Sequence, residues 1–332
     1  MKWLKILKIS FLYIGTVIGA GFGTGRELVT FFKETSQFTI ILGGIALGVF
    51  SGFYLYLGKR FKEKELSAIA FGKYNKIFDF IVNTSVFFVL AAMLDTSDSM
   101  IKNIFGIDYG GYFTIAFCLL AAVVGMNFIK KINALVIPAI IVMIIFIFSK
   151  SPGFTVSGGL NLFAPLSYAG MNIMLAGYVI FKDGRDMSSK EIAMTALLVS
   201  ILFSLIMTML YETVRGNYAS MPFYEVAVYY GYKYLAGAVI FFAIVTTALS
   251  CASLTLDYVG KVIKNRYAAA IMIFLAAIPV KIFVGFENIV DYVYPAVSLL
   301  GIMTSLFALA SLLKLIYKEK KSEKLTNYSI NL

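Results

Sequence analysis

The stretch "GTVIGAGFGTGREL", residues 15–28, decides how this chain is read. Gly15, Gly19, Gly21, Gly23 and Gly25 fall inside a run otherwise apolar enough to cross a membrane, and the charges Arg26 and Glu27 follow at once. Glycine costs a helix interior about 1 kcal/mol relative to alanine, so several together predict an unwound stretch. A span entered near Ile9 reaches the bilayer midplane about ten residues later, at roughly 1.5 Å per residue, which lands on Gly19–Gly23. Thr24-Gly25-Arg26-Glu27 fits a capping box, with Thr24 as N-cap and Glu27 reaching back to its amide, and so predicts a helix restart. Such a restart turns free amides and partial positive charge inward, which suits a carboxylate, while unwound carbonyls on the other side suit a small cation. Gly15, Gly19 and Gly23 are also spaced as a small-residue packing stripe; the restart box and the paired charges favour the broken-helix reading over packing alone. No G-x-G-x-x-G spacing occurs, so a dinucleotide loop is excluded.

Composition sets the surroundings of this stretch. Of the 332 residues 60% are hydrophobic and 14% charged, and apolar runs long enough to cross roughly 30 Å of hydrocarbon recur from end to end. That pattern predicts an all-α integral membrane protein. The net charge of +11 lies in short clusters between apolar runs, as topology signals do, and nucleic acid is not an expected partner. With no histidine, and with Cys118 and Cys251 apart in apolar segments, neither a zinc or haem site nor a disulfide framework is expected. Lys2, Lys5 and Lys8 before an apolar run resemble a signal peptide, but apolar character resumes in "LVTFF" and no clear cleavage site precedes it.

The apolar runs and their breaks predict ten spans, near 9–33, 37–58, 77–104, 111–129, 131–148, 160–182, 190–213, 233–262, 267–284 and 288–316. Residues 214–232 read as a short helix at the outer surface. Basic clusters at Lys59–Lys76, at Lys130 and Lys131, at Lys182–Lys190, at Lys261–Arg266 and at Lys314–Lys324 fall on one side, together with the N-terminal lysines. The positive-inside bias then puts both termini in the cytoplasm of a multi-pass cell-membrane protein. Two units of five spans, 1–150 and 151–317 with a cytoplasmic tail at 318–332, have opposite topology, and inverted repeats of this kind are the architecture of many secondary transporters. Symmetry then predicts a second break in helix six, near Ala169-Gly170-Met171-Asn172 in "LSYAGMNIMLAGY".

"GTVIGAGFGTGRELVTFF" resembles the first-helix signature of the YkvI-like bacterial membrane proteins. More distantly, its opening is similar to that of the amino acid–polyamine–organocation transporters, which share the LeuT-type 5+5 inverted repeat with discontinuous helices 1 and 6. That resemblance implies that the amides of Ala20 and Gly21, beside Gly19, hold a substrate carboxylate. It further implies a sodium site between the carbonyls of Gly15 and Ile18 and the eighth helix, where Ala243, Thr246 and Thr247 match a hydroxyl pattern of sodium-dependent relatives and Ser250 and Ser253 are alternatives. Those hydroxyls can equally bond back to their own helix. The lysine that proton-coupled members carry on the fifth helix is absent from "NALVIPAIIVMIIFIF".

The expected substrate-binding set is Gly19, Ala20, Gly21, Gly23, Thr24, Asp95, Ser167, Gly170 and Asn172, with Arg26 and Glu27 at an outer gate. Intramembrane charges are costly and need a reason. Asp98 is spaced to pair with Lys102 and Asp257 with Lys261, whereas Asp95 has no basic neighbour at helical spacing and reads as a substrate contact, a proton site or the lining of a wet vestibule. Lys281, Glu287 and Asp291 read as a structural cluster at the outer end, and Lys182–Asp186 as a cytoplasmic turn, part of an inner gate. No catalytic constellation or cofactor motif is present, so an enzyme is not expected. The expected function is secondary transport of an amino acid or similar small zwitterion, coupled to sodium. Proton coupling and a non-transporting, germinant-receptor-like sensor are the alternatives; a channel ranks third. The topology has a direct check. In a cysteine-free background, Lys62→Cys is labelled by an impermeant maleimide only after permeabilisation, and Asn217→Cys is labelled from outside.

Overall fold

The computed structural model describes residues 3–124, 126–151, 153 and 158–330, with side chains described except at 120–134, 175 and 323–330. Lys2 and the side chains of Lys130, Lys131 and Lys324 lie outside what is described. The chain is helical almost throughout. In order the helices are α1 (Trp3–Val17), α2 (Ala20–Thr24), α3 (Arg26–Phe32), α4 (Gln37–Arg60), α5 (Leu66–Phe71), α6 (Asn75–Phe105), α7 (Gly110–Val124) and α8 (Met126–Phe148). Next come α9 (Phe163–Asp183), α10 (Ser189–Val214), α11 (Pro222–Tyr229), α12 (Lys233–Val259), α13 (Arg266–Phe283), α14 (Gly285–Asn288) and α15 (Tyr294–Ile330).

Among the described residues six helical runs are long and apolar enough to cross a membrane: Gln37–Arg60, Leu66–Phe105, Ser189–Val214, Lys233–Val259, Arg266–Phe283 and Gly285–Ser322. A seventh is bent, Phe163–Met174 turning by 68° into Ala176–Asp186, and Gly110–Leu119 and Leu135–Phe148 are shorter apolar helices. α9 is helical from Phe163 to Asp183, so the backbone is not broken at Ala169–Asn172, and its change of direction comes after Met174. Gly170 sits in regular helix because a neighbour needs it small: a Cβ there would lie 2.7 Å from the Ser298 carbonyl of α15. The 318–332 segment, expected as a tail, continues α15 as helix to Ile330.

Local chemistry explains the ends. Ser36 caps α4 by accepting from the Thr39 amide, and Ser188 with Glu191 forms a reciprocal capping box at α10. Asn265 caps α13 on the amides of Tyr267 and Ala268. The short α11 starts at Pro222, in the surface segment expected there.

Packing uses small residues where helices cross. Along α4, a Cβ on Gly48 would lie 2.5 Å from the Ala196 carbonyl and overlap the Ser200 hydroxyl of α10, and a Cβ on Gly44 would meet the Ser204 backbone. Without a hydrophobic driving force between helices in lipid, such backbone approach supplies the contact. At the end of α4 a turn is pinned across the fold: Arg185, in the Gly184–Asp186 3₁₀ turn, donates to the Lys64 carbonyl at 3.2 Å, and Lys5 donates to the Asp186 carbonyl at 2.7 Å. At the opposite end Tyr211 of α10 clamps the α3–α4 turn, donating to the Lys33 carbonyl at 2.6 Å and accepting from the Thr35 amide at 3.2 Å. The Gly48 contact predicts that Gly48→Leu destabilises by about 1–3 kcal/mol through overpacking. Gly159→Ala, whose added carbon meets nothing within 4 Å, leaves the detergent unfolding temperature unchanged.

Candidate functional site

The first helical stretch loses its regular bonding at two places. The Ile18 amide still reaches the Ile14 carbonyl at 2.8 Å, but the Gly19 amide folds back to the Val17 carbonyl and Gly19 is extended, with φ −106° and ψ −162°. Helical bonding resumes when the Gly23 amide donates to the Gly19 carbonyl at 2.8 Å. It stops again at Gly25, whose φ of 79° lies in the left-handed region that favours glycine. The short α2 thus lies between two backbone turns, with every residue from Ala20 to Thr24 buried.

Gly25 and not Thr24 occupies the N-cap of α3, and no side chain caps it. This corrects the capping-box expectation. The Thr24 hydroxyl instead donates to the Gly21 carbonyl at 3.0 Å and accepts from the Arg26 amide at 3.4 Å. A left-handed glycine ends one helix and starts the next, so Thr24 closes α2.

The turn at Gly19 is answered from α12. The Ala20 amide donates to Thr247 Oγ1 at 3.1 Å, and that hydroxyl donates to the Ala243 carbonyl at 2.9 Å. Gly19 permits the approach, since a Cβ there would stand 3.0 Å from Thr247 Oγ1. Ala243 and Thr247 are therefore brought together with the Gly19–Gly23 stretch. Thr246 and Ser250 bond back along α12, to the Ala243 carbonyl at 3.0 Å and the Thr246 carbonyl at 2.9 Å. Gly15 packs toward Ile137 of α8, and Gly23 lies in ordinary contact with Ile140 and Ala243.

Arg26 is 9% exposed, and its guanidinium makes four hydrogen bonds. Its guanidinium is bidentate on Asp291, at 2.9 and 3.1 Å, and donates to the carbonyls of Tyr218 and Ala219 at 2.6 and 3.3 Å. Thr30 adds a bond to Asp291 at 3.2 Å. Asp291 lies in a π-helical stretch, Ile289–Val293, ahead of α15. Such stretches re-aim side chains and are frequent at functional sites. The pair ties the first helical stretch, the surface segment before α11 and the last span together.

Glu27 is 6% exposed and points the other way. Tyr168 of α9 donates to its Oε2 at 3.3 Å, and a Cβ on Gly21 would collide with its carboxylate. Phe31 and Phe32 lie edge-on or tilted over the Tyr168 ring, each 5.5 Å between centroids.

Other expected residues find different partners. Ser167 bonds the Ser298 hydroxyl at 2.7 Å, so with Gly170 it faces α15; Asn172 donates to the Tyr168 carbonyl at 3.0 Å. Asp95 accepts from the Phe286 amide at 2.8 Å and so caps α14. Asp98 pairs with Lys281 rather than with Lys102, which pairs with Asp108 at 3.0 Å, and Asp257 pairs with Arg266 at 3.6 Å rather than with Lys261. In each case the helix-spacing rule lost to a partner supplied by another segment. The Lys281, Glu287 and Asp291 group divides likewise, toward Asp98, Ser220 and Arg26. Tyr168 and Asp291 are the residues that sequence reasoning missed as partners; for Asp291 the signal was an intramembrane acid matching the one buried arginine of the first stretch.

The fold is that of an all-helical membrane protein with several apolar spans, similar to LeuT-fold transporter structures. Among solved structures the chain is similar to Mhp1, a nucleobase-cation-symport-1 family transporter in a closed conformation with bromovinylhydantoin bound. The TM-score is 0.54 at 13% identity, over 91% of this chain and 74% of that one. It is similar also to a manganese transporter of Eremococcus coleocola, with TM-score 0.54 at 14% identity over 93% and 78%. No family model matches the chain. By sequence it is 28% identical over 209 residues to the membrane protein YkvI of Bacillus subtilis (strain 168), which bears out the resemblance read from the first helix. The matched region is 56% of this chain and spans 59% of YkvI. A second relative, YyaD of the same organism, is 21% identical over 330 residues, 91% of this chain and 95% of YyaD.

The Arg26–Asp291 geometry yields a quantitative expectation. Asp291 is 39% exposed at its side chain, so the pair lies between exposed pairs and fully buried ones. A double-mutant cycle with Arg26→Gln and Asp291→Asn, read by chemical unfolding in detergent, gives a coupling of about 1–2 kcal/mol.

Proposed function

We propose that this chain is a secondary transporter of an amino acid or similar small zwitterion, driven by sodium and working by alternating access. The observation that carries the reading is the turn at Ile18–Gly19, met by Thr247 of α12 at the centre of a transporter-like fold. Irregular backbone at membrane depth is tolerated only where it is buried in protein or lines a cavity, and substrate sites of many transporters lie at such turns.

The ten-span, 5+5 reading has support from the packing. The six long runs, the bent α9, the two shorter apolar helices and the interrupted α1–α3 stretch make ten. Elements five spans apart also pair: α4 packs on α10 and α6 on α12, while α7 meets α12 as α13 meets α6. A two-fold exchange of units 1–150 and 151–317 accounts for all four contacts.

In this reading Gly19, Ala20, Gly21 and Thr24 receive the substrate carboxylate once Thr247 releases the Ala20 amide. Gly15, Ile18, Ala243, Thr246 and Thr247 offer sodium its hard oxygens. Arg26 and Asp291 form the outer gate, and the Gly184–Asp186 turn with Lys5 and Lys64 the inner one. The protein resides in the cell membrane with both termini in the cytoplasm.

The test is uptake of a panel of radiolabelled amino acids into proteoliposomes, with an inward sodium gradient or with choline. Uptake of one substrate class is at least several-fold faster with sodium, and Thr247→Val, which keeps the shape and removes the hydroxyl, abolishes that difference. Sodium-independent uptake overturns the coupling. Binding without uptake overturns transport in favour of a sensor.

A further inference from the structure

Among the described residues the buried acids are Glu27 and Glu191, and Glu191 is used by its capping box. Of the half-buried acids, Glu212 lies beside Arg215, Asp98 has Lys281 and Asp95 has the Phe286 amide. Glu27 has one hydroxyl, that of Tyr168. The only cation next to it in the chain, Arg26, is committed to Asp291 and two carbonyls. The titratable groups facing it from packed elements are Tyr168 of α9 and Tyr294 of α15, with Cys251 of α12 behind Tyr294; none is a cation.

A bare carboxylate taken out of water needs a compensating charge or several donors. A sodium ion would need a shell of oxygens where one hydroxyl is present. An ammonium group would need room where the carboxylate already packs against Gly21 too closely for a methyl group. A proton needs neither. We propose that Glu27 is a proton-binding site of this protein, loaded and unloaded through the hydroxyls of Tyr168, Tyr13 and Tyr54.

The row of hydroxyls runs from Glu27 toward the basic end of the bundle. Tyr168, Tyr13 and Tyr54 are fully buried on α9, α1 and α4; α1 and α4 both pack on α9, and the Tyr54 ring lies against Gly177 of α9. The Tyr13 hydroxyl has no hydrogen-bond partner, a condition that a bridging water relieves. Tyr54 shares a bond of 3.1 Å with Ser305 and stands on the last part of α4, which ends at Lys59 and Arg60. In unloading, the Glu27 O–H bond breaks and its proton bonds to the Tyr168 oxygen as the Tyr168 proton leaves toward Tyr13. Each hydroxyl and bridging water gains one proton and gives one up. The proton ends on solvent water at the basic end, and the carboxylate is left with one negative charge.

The inference rests on the transporter reading only for the use made of the proton. Its test is infrared spectroscopy of the purified full chain in lipid. At neutral pH the protein has the C=O stretch of a protonated carboxyl, which Glu27→Gln removes and Asp108→Asn leaves. Tyr168→Phe keeps that band but moves its frequency, a check that holds even if Glu27→Gln fails to fold. After an alkaline pH jump the band decays, and Tyr13→Phe slows the decay roughly ten-fold or more while Tyr56→Phe leaves it unchanged. Absence of the band, or its survival in folded Glu27→Gln, overturns the proton site; an unaltered rate in Tyr13→Phe overturns the route. Proton loading without uptake in the liposome assay overturns transport and leaves the proton site standing.

Discussion

A backbone amide inside hydrocarbon has no water to turn to, and in this chain that constraint converges on the Ala20 N–H. Its bond to the Thr247 hydroxyl replaces the helical acceptor lost where Gly19 adopts an extended conformation. The rest of the architecture serves that bond. Gly19 has no side chain to keep α12 away, and α12 is held in turn by α6, α7 and α8 along its length. Thr247 remains bonded within its own helix through the Ala243 carbonyl, so it satisfies the Ala20 amide without giving up its place in α12.

The two charges after the glycines are neighbours in sequence with opposite surroundings. Arg26 projects toward the surface segment and the last span, where carbonyls and a carboxylate surround it. Glu27 projects inward under aromatic rings, against a glycine. Consecutive positions on a helix differ by about 100°, and here that rotation separates a fastening from a reactive interior group.

Span ends were readable because their causes are local. The expected limits 37–58 and 190–213 lie within two residues of α4 and α10 at Gln37–Arg60 and Ser189–Val214, where Ser36 and Ser188 cap and charged residues mark the ends. Partners were not readable. Helical spacing offered Lys102 to Asp98 and Lys261 to Asp257, but Lys281 and Arg266 arrive from other segments and win. The bend of α9 escaped for the same reason. Gly170 looked like a weak point in one dimension, yet in three it is a contact surface for Ser298, and the turn falls further on. The Thr24–Glu27 box failed because Gly25, the residue inside it, takes a left-handed conformation that moves the cap by one position.

The π-helical stretch at Ile289–Val293 makes this centre sensitive to chain length. A π turn accommodates one residue more than the α-helical ladder would, so deleting a single codon there restores regular helix. Residues on the α14 side would then rotate by about 100° relative to Tyr294 and the remainder of α15. Asp291 would swing away from Arg26, whereas Ser298, downstream, would keep its place against Ser167. Length at this point of the last span therefore decides whether Asp291 reaches Arg26 at all, whatever side chains surround the pair.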